Sequence, residues 1–122
     1  MGSLNRLHNA SNPNQGDYKK VLCVCSAGLL RSPTAAIVIQ KAYGHNTRAV
    51  GTDESHALIP IDAVHIEWAD EIVVMDQWQL EYLERGYPSI NTKRVINLEI
   101  EDDFAYMEPQ LQELILERYP ND

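Results

Sequence analysis

Val21-Leu22-Cys23-Val24-Cys25 is apolar on both faces of an extended chain, short and rich in branched side chains, the pattern of a strand buried within a parallel sheet. After a turn of small residues from Ser26 to Leu30 the period changes, and Ala35, Ala36, Ile39 and Ala42 recur at helical spacing. Ser32-Pro33 reads as an N-cap and first-turn proline for that helix, and Gly44 closes it. Thr47 to Val50 predicts a second strand, and Ile61 to Ala69 a helix beyond the polar loop Gly51 to Ser55. Glu71 to Met75 predicts a third strand. Asp76 can cap a helix over Trp78, Leu80, Tyr82 and Leu83, which Gly86 and Pro88 stop, and Arg94 to Leu98 predicts a fourth strand. Beyond the acidic loop Glu99 to Asp103, Leu111, Leu114, Ile115 and Arg118 fall at the spacing of a last amphipathic helix. Strands alternating with helices predict an α/β fold, a four-stranded parallel sheet flanked by helices on both faces.

A chain of 122 residues is the size of one domain, placed here at residues 18–122. Residues 1–17, rich in Asn, Ser, Gly and Pro, hold too little apolar surface to order themselves and read as an N-terminal tail without a secretory leader. With 10 basic and 18 acidic residues the net charge is −8, so no global field favours a nucleic acid. No apolar run approaches the length of a membrane span. The two cysteines fit neither a disulfide framework nor a zinc pattern and suit a reducing compartment, the cytoplasm. The four histidines, His8, His45, His56 and His65, share no ligand spacing, so neither a metal nor another cofactor is expected.

The chemistry gathers where the first strand ends. Ligands of open parallel sheets bind beyond the carboxyl ends of the strands, and the loop from Cys25 to Arg31 leaves the sheet at that edge. With five residues between Cys25 and Arg31, the backbone N–H groups of Ser26, Ala27, Gly28, Leu29 and Leu30 can turn inward at a helix N-terminus and cradle a phosphate. Gly28 permits the positive φ such a cradle uses. Arg31 adds a planar, permanently charged fork for two phosphate oxygens. The same dipoles favour a thiolate at Cys25, the nucleophilic form of cysteine, and Ser32 lies close enough in sequence to donate to the sulfur as it leaves. Cys23, two residues back and on the same face, reads as a small buried hydrophobe.

The segment Val21 to Ala36, VLCVCSAGLLRSPTAA, resembles the phosphate-binding signature of the low-molecular-weight protein tyrosine phosphatases. The resemblance extends through Ile66 to Asp76, like that family's third strand ending in Met-Asp, and through Leu98 to Glu117, like the tail of its short single-domain members. It implies hydrolysis of a phosphotyrosine protein or a small aryl phosphate through a phosphocysteine at Cys25, with Arg31 holding the phosphate. It also implies a general acid from a late loop: Asp102 stands at the acid's position and Asp103 where the family has proline, leaving Asp103 as the alternative. Phe104, Tyr106 and His56, with Leu58, are candidates for the walls around an aryl ring. Asp76 reads either as a helix cap or as a partner of the cradle.

Two departures from the family stand out. Gly28 replaces an asparagine that braces the loop, and Leu30 replaces a second cysteine, leaving Cys23 as the remaining resolving thiol at a spacing that strains a disulfide. An arsenate reductase of similar fold would need further cysteines after Cys25, and none follows. Leu22 to Gly28 also resembles the phosphocysteine loop of sugar phosphotransferase IIB domains, so a phosphocarrier stays open, as does a module that binds phosphotyrosine without turnover.

Overall fold

The computed structural model describes residues 9–10, 19–26, 31–52, 59–101 and 103–120. Among them five strands form one sheet: β1 (Asn9–Ala10), β2 (Lys20–Cys25), β3 (Asn46–Gly51), β4 (Glu71–Val74) and β5 (Arg94–Asn97), in the order β1-β3-β2-β4-β5. The last four run parallel, with Cys25 level with Gly51 across β2 and β3, and Val24 level with Val74 across β2 and β4. This is the four-stranded parallel sheet that the alternating pattern predicts. β1 is an addition from within the polar N-terminal stretch, antiparallel to β3 with Asn9 opposite Arg48 and Ala10 opposite Thr47. An outer strand carries a row of backbone donors and acceptors that a polar segment can pair without burying side chains.

Among the described residues four helices cover the sheet: α1 (Arg31–Tyr43), α2 (Ala63–Trp68), α3 (Gln77–Gly86) and α4 (Pro109–Arg118), with a 3₁₀ turn at Pro88–Thr92. Successive side chains of β2 point to opposite faces and so divide between two cores. Val21, Cys23 and Cys25 pack with Ala35 and Ile39 of α1 and Leu111 and Ile115 of α4, while Leu22 and Val24 pack with Ile66 of α2 and Leu83 of α3. Each such aliphatic side chain contributes roughly 1.5–3 kcal/mol when fully buried, which is what holds helices to both faces. Gly44 ends α1 at φ 75°, with its N–H on the Gln40 carbonyl at 2.8 Å. Asp62 begins α2 through a reciprocal pair with His65, one residue inside the predicted start at Ile61. Trp68 and Tyr82 pack against the second core, the Arg48 guanidinium lies 4.3 Å from the Trp68 ring centre, and Trp78 is exposed. Among the described residues no helix is long and apolar enough to cross a membrane.

At the opposite end of the sheet from Cys25, Glu71 is a buried carboxylate with three partners. Tyr119 Oη donates to it, and Lys19 Nζ and Arg94 Nε each stand 3.4 Å away. A buried charge is tolerable only when so compensated, and here the compensation ties the end of α4 to the start of β4. Burial, reinforced by Glu71, pushes the Tyr119 phenol well above its ordinary range. Burial, then the neighbouring Cys25 and Glu71, does the same to the Cys23 thiol.

Both groups therefore stay protonated in the fold after the unfolded chain has begun to release its protons, near 9.0 for cysteine and 10.0 for tyrosine. Stability is fully present below those values and declines above them, by about 1.4 kcal/mol per pH unit for each group involved. Urea midpoints measured from pH 8 to 11 are expected to fall from about pH 9 onward, with Cys23→Ala flattening the first part of the decline. Midpoints level through pH 10.5 in the parent chain would contradict this.

Candidate active site

The carboxyl ends of β2 and β4 and the N-termini of α1 and α3 converge on one edge of the sheet. Cys25 is the last residue of β2 and only 3% exposed, and its carbonyl accepts the Thr52 N–H at 2.9 Å. Its Sγ lies 3.1 Å from Ser32 Oγ, which in turn donates to the Val50 carbonyl at 3.3 Å. Ser32 has one hydroxyl proton for these two neighbours. Beside a thiol, the S–H donates to Oγ and the hydroxyl stays on Val50; beside a thiolate, the hydroxyl can turn to the sulfur. Ser32 was read as the N-cap of α1, but the helix already includes Arg31, so Ser32 sits fully buried in its first turn with its side chain on the cysteine.

Arg31 is 2% exposed, and its Nη1 donates to the Ile100 carbonyl at 2.7 Å and stands 3.7 Å from Asp76 Oδ2. Asp76 serves both of the roles left open for it. One oxygen caps α3 by accepting from the Gln79 N–H at 3.1 Å, and the other faces the guanidinium. A carbonyl and a carboxylate thus anchor Nη1 of a buried guanidinium, and such anchoring limits the swing of a group that is to recognise a phosphate. Beside it opens a cavity of about 370 Å³, lined by Arg31, Met75, Asp76, Gln77, Glu99, Ile100 and Glu101.

Three supports of this edge escaped the sequence reading. Gln79 is fully buried; its Oε1 accepts the Met75 N–H at 2.8 Å and its Nε2 reaches Ser26 Oγ at 3.5 Å, so it links the end of β4 to the residue after Cys25. The available signal was a polar residue four positions before Leu83, on the buried stripe of α3. Thr34 Oγ1 accepts the Met107 N–H at 2.8 Å, and Arg118 donates to the Leu98 and Glu99 carbonyls. Nothing local in the sequence marks either contact.

The remaining candidates divide. Ala27, Gly28, Leu29, Leu30, Asp102, His56 and Leu58 lie outside the described residues. Asp103 is exposed on the loop after β5. Phe104 packs against the first core and lines a separate cavity of about 320 Å³ with Leu114 and Glu117, and Tyr106 is 49% exposed; neither lines the cavity beside Arg31. Cys23, fully buried and held as a thiol, packs as an apolar side chain behind Cys25.

No protein-family model matches the sequence, and no curated protein does. Solved structures do match by fold. The tyrosine phosphatase Wzb from Escherichia coli K30, in complex with phosphate, superposes with a TM-score of 0.67 at 17% identity, over 83% of this chain and 93% of that one. The YwlE arginine phosphatase from Geobacillus stearothermophilus gives 0.65 at 18% identity, over 80% and 88%. A low-molecular-weight phosphotyrosine phosphatase from Vibrio cholerae O395 gives 0.58 at 20% identity, over 80% and 88%. Together with the parallel sheet and the cysteine at the end of its central strand, these likenesses give the chain the fold of the low-molecular-weight tyrosine phosphatases.

Proposed function

We propose that this protein is a phosphomonoester hydrolase acting on phosphotyrosine, or on another aryl phosphate, through a phosphocysteine at Cys25. The observation that carries the reading is the meeting at one sheet edge of a buried Cys25 Sγ, a hydroxyl 3.1 Å from it on Ser32, and a buried Arg31 guanidinium held in place by Ile100 and Asp76. The single domain assigned to residues 18–122 supplies every part, and its two cysteines, not joined in a disulfide, suit the reducing cytoplasm.

In this mechanism the thiolate attacks phosphorus while Arg31 holds two of the non-bridging oxygens. The S–P bond forms, the P–O bond to the aryl group breaks, and the phenolate leaves with a proton from Asp102. Water then attacks the phosphocysteine, giving its proton to the Asp102 carboxylate. The S–P bond breaks and inorganic phosphate departs, with Ser32 donating to the sulfur as its charge returns. Every step uses the chain's own groups and water.

Hydrolysis of p-nitrophenyl phosphate and phenyl phosphate by wild type, Asp102→Asn and Asp103→Asn tests this reading. Asp102→Asn is expected to lower kcat by about 10²- to 10³-fold, most severely for phenyl phosphate, whose leaving group needs the proton more. Asp103→Asn stays close to wild type. The reverse pattern would move the acid to Asp103. A wild type that binds phosphate without turning over either ester would leave the phosphocarrier or the binding module. Because one neighbour in fold is an arginine phosphatase, a phosphoarginine substrate belongs in the same assay.

A further inference from the structure

The turn that carries β5 toward the acid loop is bent at a residue that is not glycine. Glu99 has φ 54°, in the left-handed region, where a residue with a side chain stays only if its surroundings impose the conformation. The surroundings here are specific. The Leu98 and Ile100 N–H groups donate to Val74 and Met75 at 2.9 Å each, and the Glu99 N–H donates to Asn97 Oδ1 at 2.9 Å. From the last turn of α4, Arg118 Nη1 reaches back to the Leu98 carbonyl at 3.2 Å and the Glu99 carbonyl at 2.6 Å. The next carbonyl along the chain, that of Ile100, accepts the Arg31 guanidinium at 2.7 Å.

Two arginines from different helices thus grip adjacent carbonyls of one strained turn. We infer that Arg118 is a positioning residue for Arg31: by holding the Glu99 peptide in its left-handed turn, it aims the Ile100 carbonyl that anchors Nη1 of the phosphate-binding guanidinium. The inference rests on the proposed role of Arg31. Arg118 is itself exposed, so replacing it opens no hole in either core, and its effect reaches the site through the backbone alone. A position at a helix C-terminus would also suit any cation. Lysine keeps that charge, but as a compact, strongly hydrated ammonium on a flexible stem that holds the two carbonyls less firmly.

The test is inhibition by inorganic phosphate and by orthovanadate, with kcat and KM on p-nitrophenyl phosphate, for wild type, Arg118→Met, Arg118→Lys and Asn97→Ala, each with its unfolding midpoint. Arg118→Met is expected to weaken phosphate inhibition and lower kcat/KM by about tenfold at temperatures where it is fully folded, the scale of a small displacement transmitted to a binding group. Arg118→Lys recovers part of the loss, and Asn97→Ala, which loosens the same turn from its other side, shifts phosphate inhibition in the same direction. An unchanged phosphate inhibition constant in folded Arg118→Met overturns the inference while leaving the phosphatase reading in place. If that variant does not fold, an unchanged constant in Asn97→Ala overturns it instead. A wild type that neither hydrolyses the ester nor binds phosphate overturns both readings together.

Discussion

Cys25→Ser is expected to lower turnover of p-nitrophenyl phosphate by about 10⁴-fold or more while leaving phosphate binding nearly intact. A serine hydroxyl is far too weak an acid to supply the anion that a cysteine supplies. The fold has little reason to object. Oxygen replaces sulfur at a site 3% exposed, beside a Ser32 hydroxyl already within hydrogen-bond reach, so the two hydroxyls can bond to each other. The loss therefore falls on kcat, and calorimetric titration with phosphate reads a near-native affinity beside an absent phosphate release. A serine variant that keeps more than about one per cent of wild-type turnover would remove Cys25 from the chemistry.

Arg31→Lys is expected to cost about 10²- to 10³-fold in kcat/KM, comparable to removing one preorganised donor from a transition-state site. Charge is conserved, so a site that needed only a cation would tolerate the change. This one asks for more. Arg31 bonds the Ile100 carbonyl and faces Asp76 through Nη1 and, in the proposed mechanism, also spans two phosphate oxygens, and serving both at once depends on a planar group with several donors. A lysine ammonium can satisfy the carbonyl or the phosphate but cannot hold a plane between them. Alanine would be less informative, since it leaves the buried Ile100 carbonyl without its donor and mixes stability with binding. Phosphate and orthovanadate inhibition should weaken in parallel with kcat/KM. A lysine variant within tenfold of wild type would mean that Arg31 acts as a point charge.

What could be read in advance was what depends on near neighbours in sequence. The five apolar residues of β2 are buried on both faces, Gly44 closes α1 and Asp76 caps α3, because periodicity, glycine's freedom and side-chain caps act within a turn or two. The pairing of Cys25 with Ser32, seven residues on, was legible for the same reason, although Ser32 reaches the sulfur from inside the helix rather than from its cap. What could not be read was distant along the chain. Arg31 and Ile100 are 69 residues apart and Tyr119 and Glu71 are 48 apart, and Arg118 acts through backbone carbonyls, which carry no sequence signature. Asn9–Ala10 belongs with these, since an outer strand pairs by backbone and leaves its composition free to look like a tail.

The place of each strand in the sheet has a consequence for how the site opens. β2, which ends in Cys25, is flanked by β3 and β4, whereas β5, which leads into the acid loop, borders β4 alone. Local unfolding starts where the fewest backbone bonds must break, so exchange of amide hydrogens at this edge runs ahead of exchange in the sheet centre. The two halves of the proposed chemistry are thereby set on different kinetic footings: Cys25 ends a strand flanked on both sides, and the loop proposed to carry the acid follows one that can loosen without exposing Cys25.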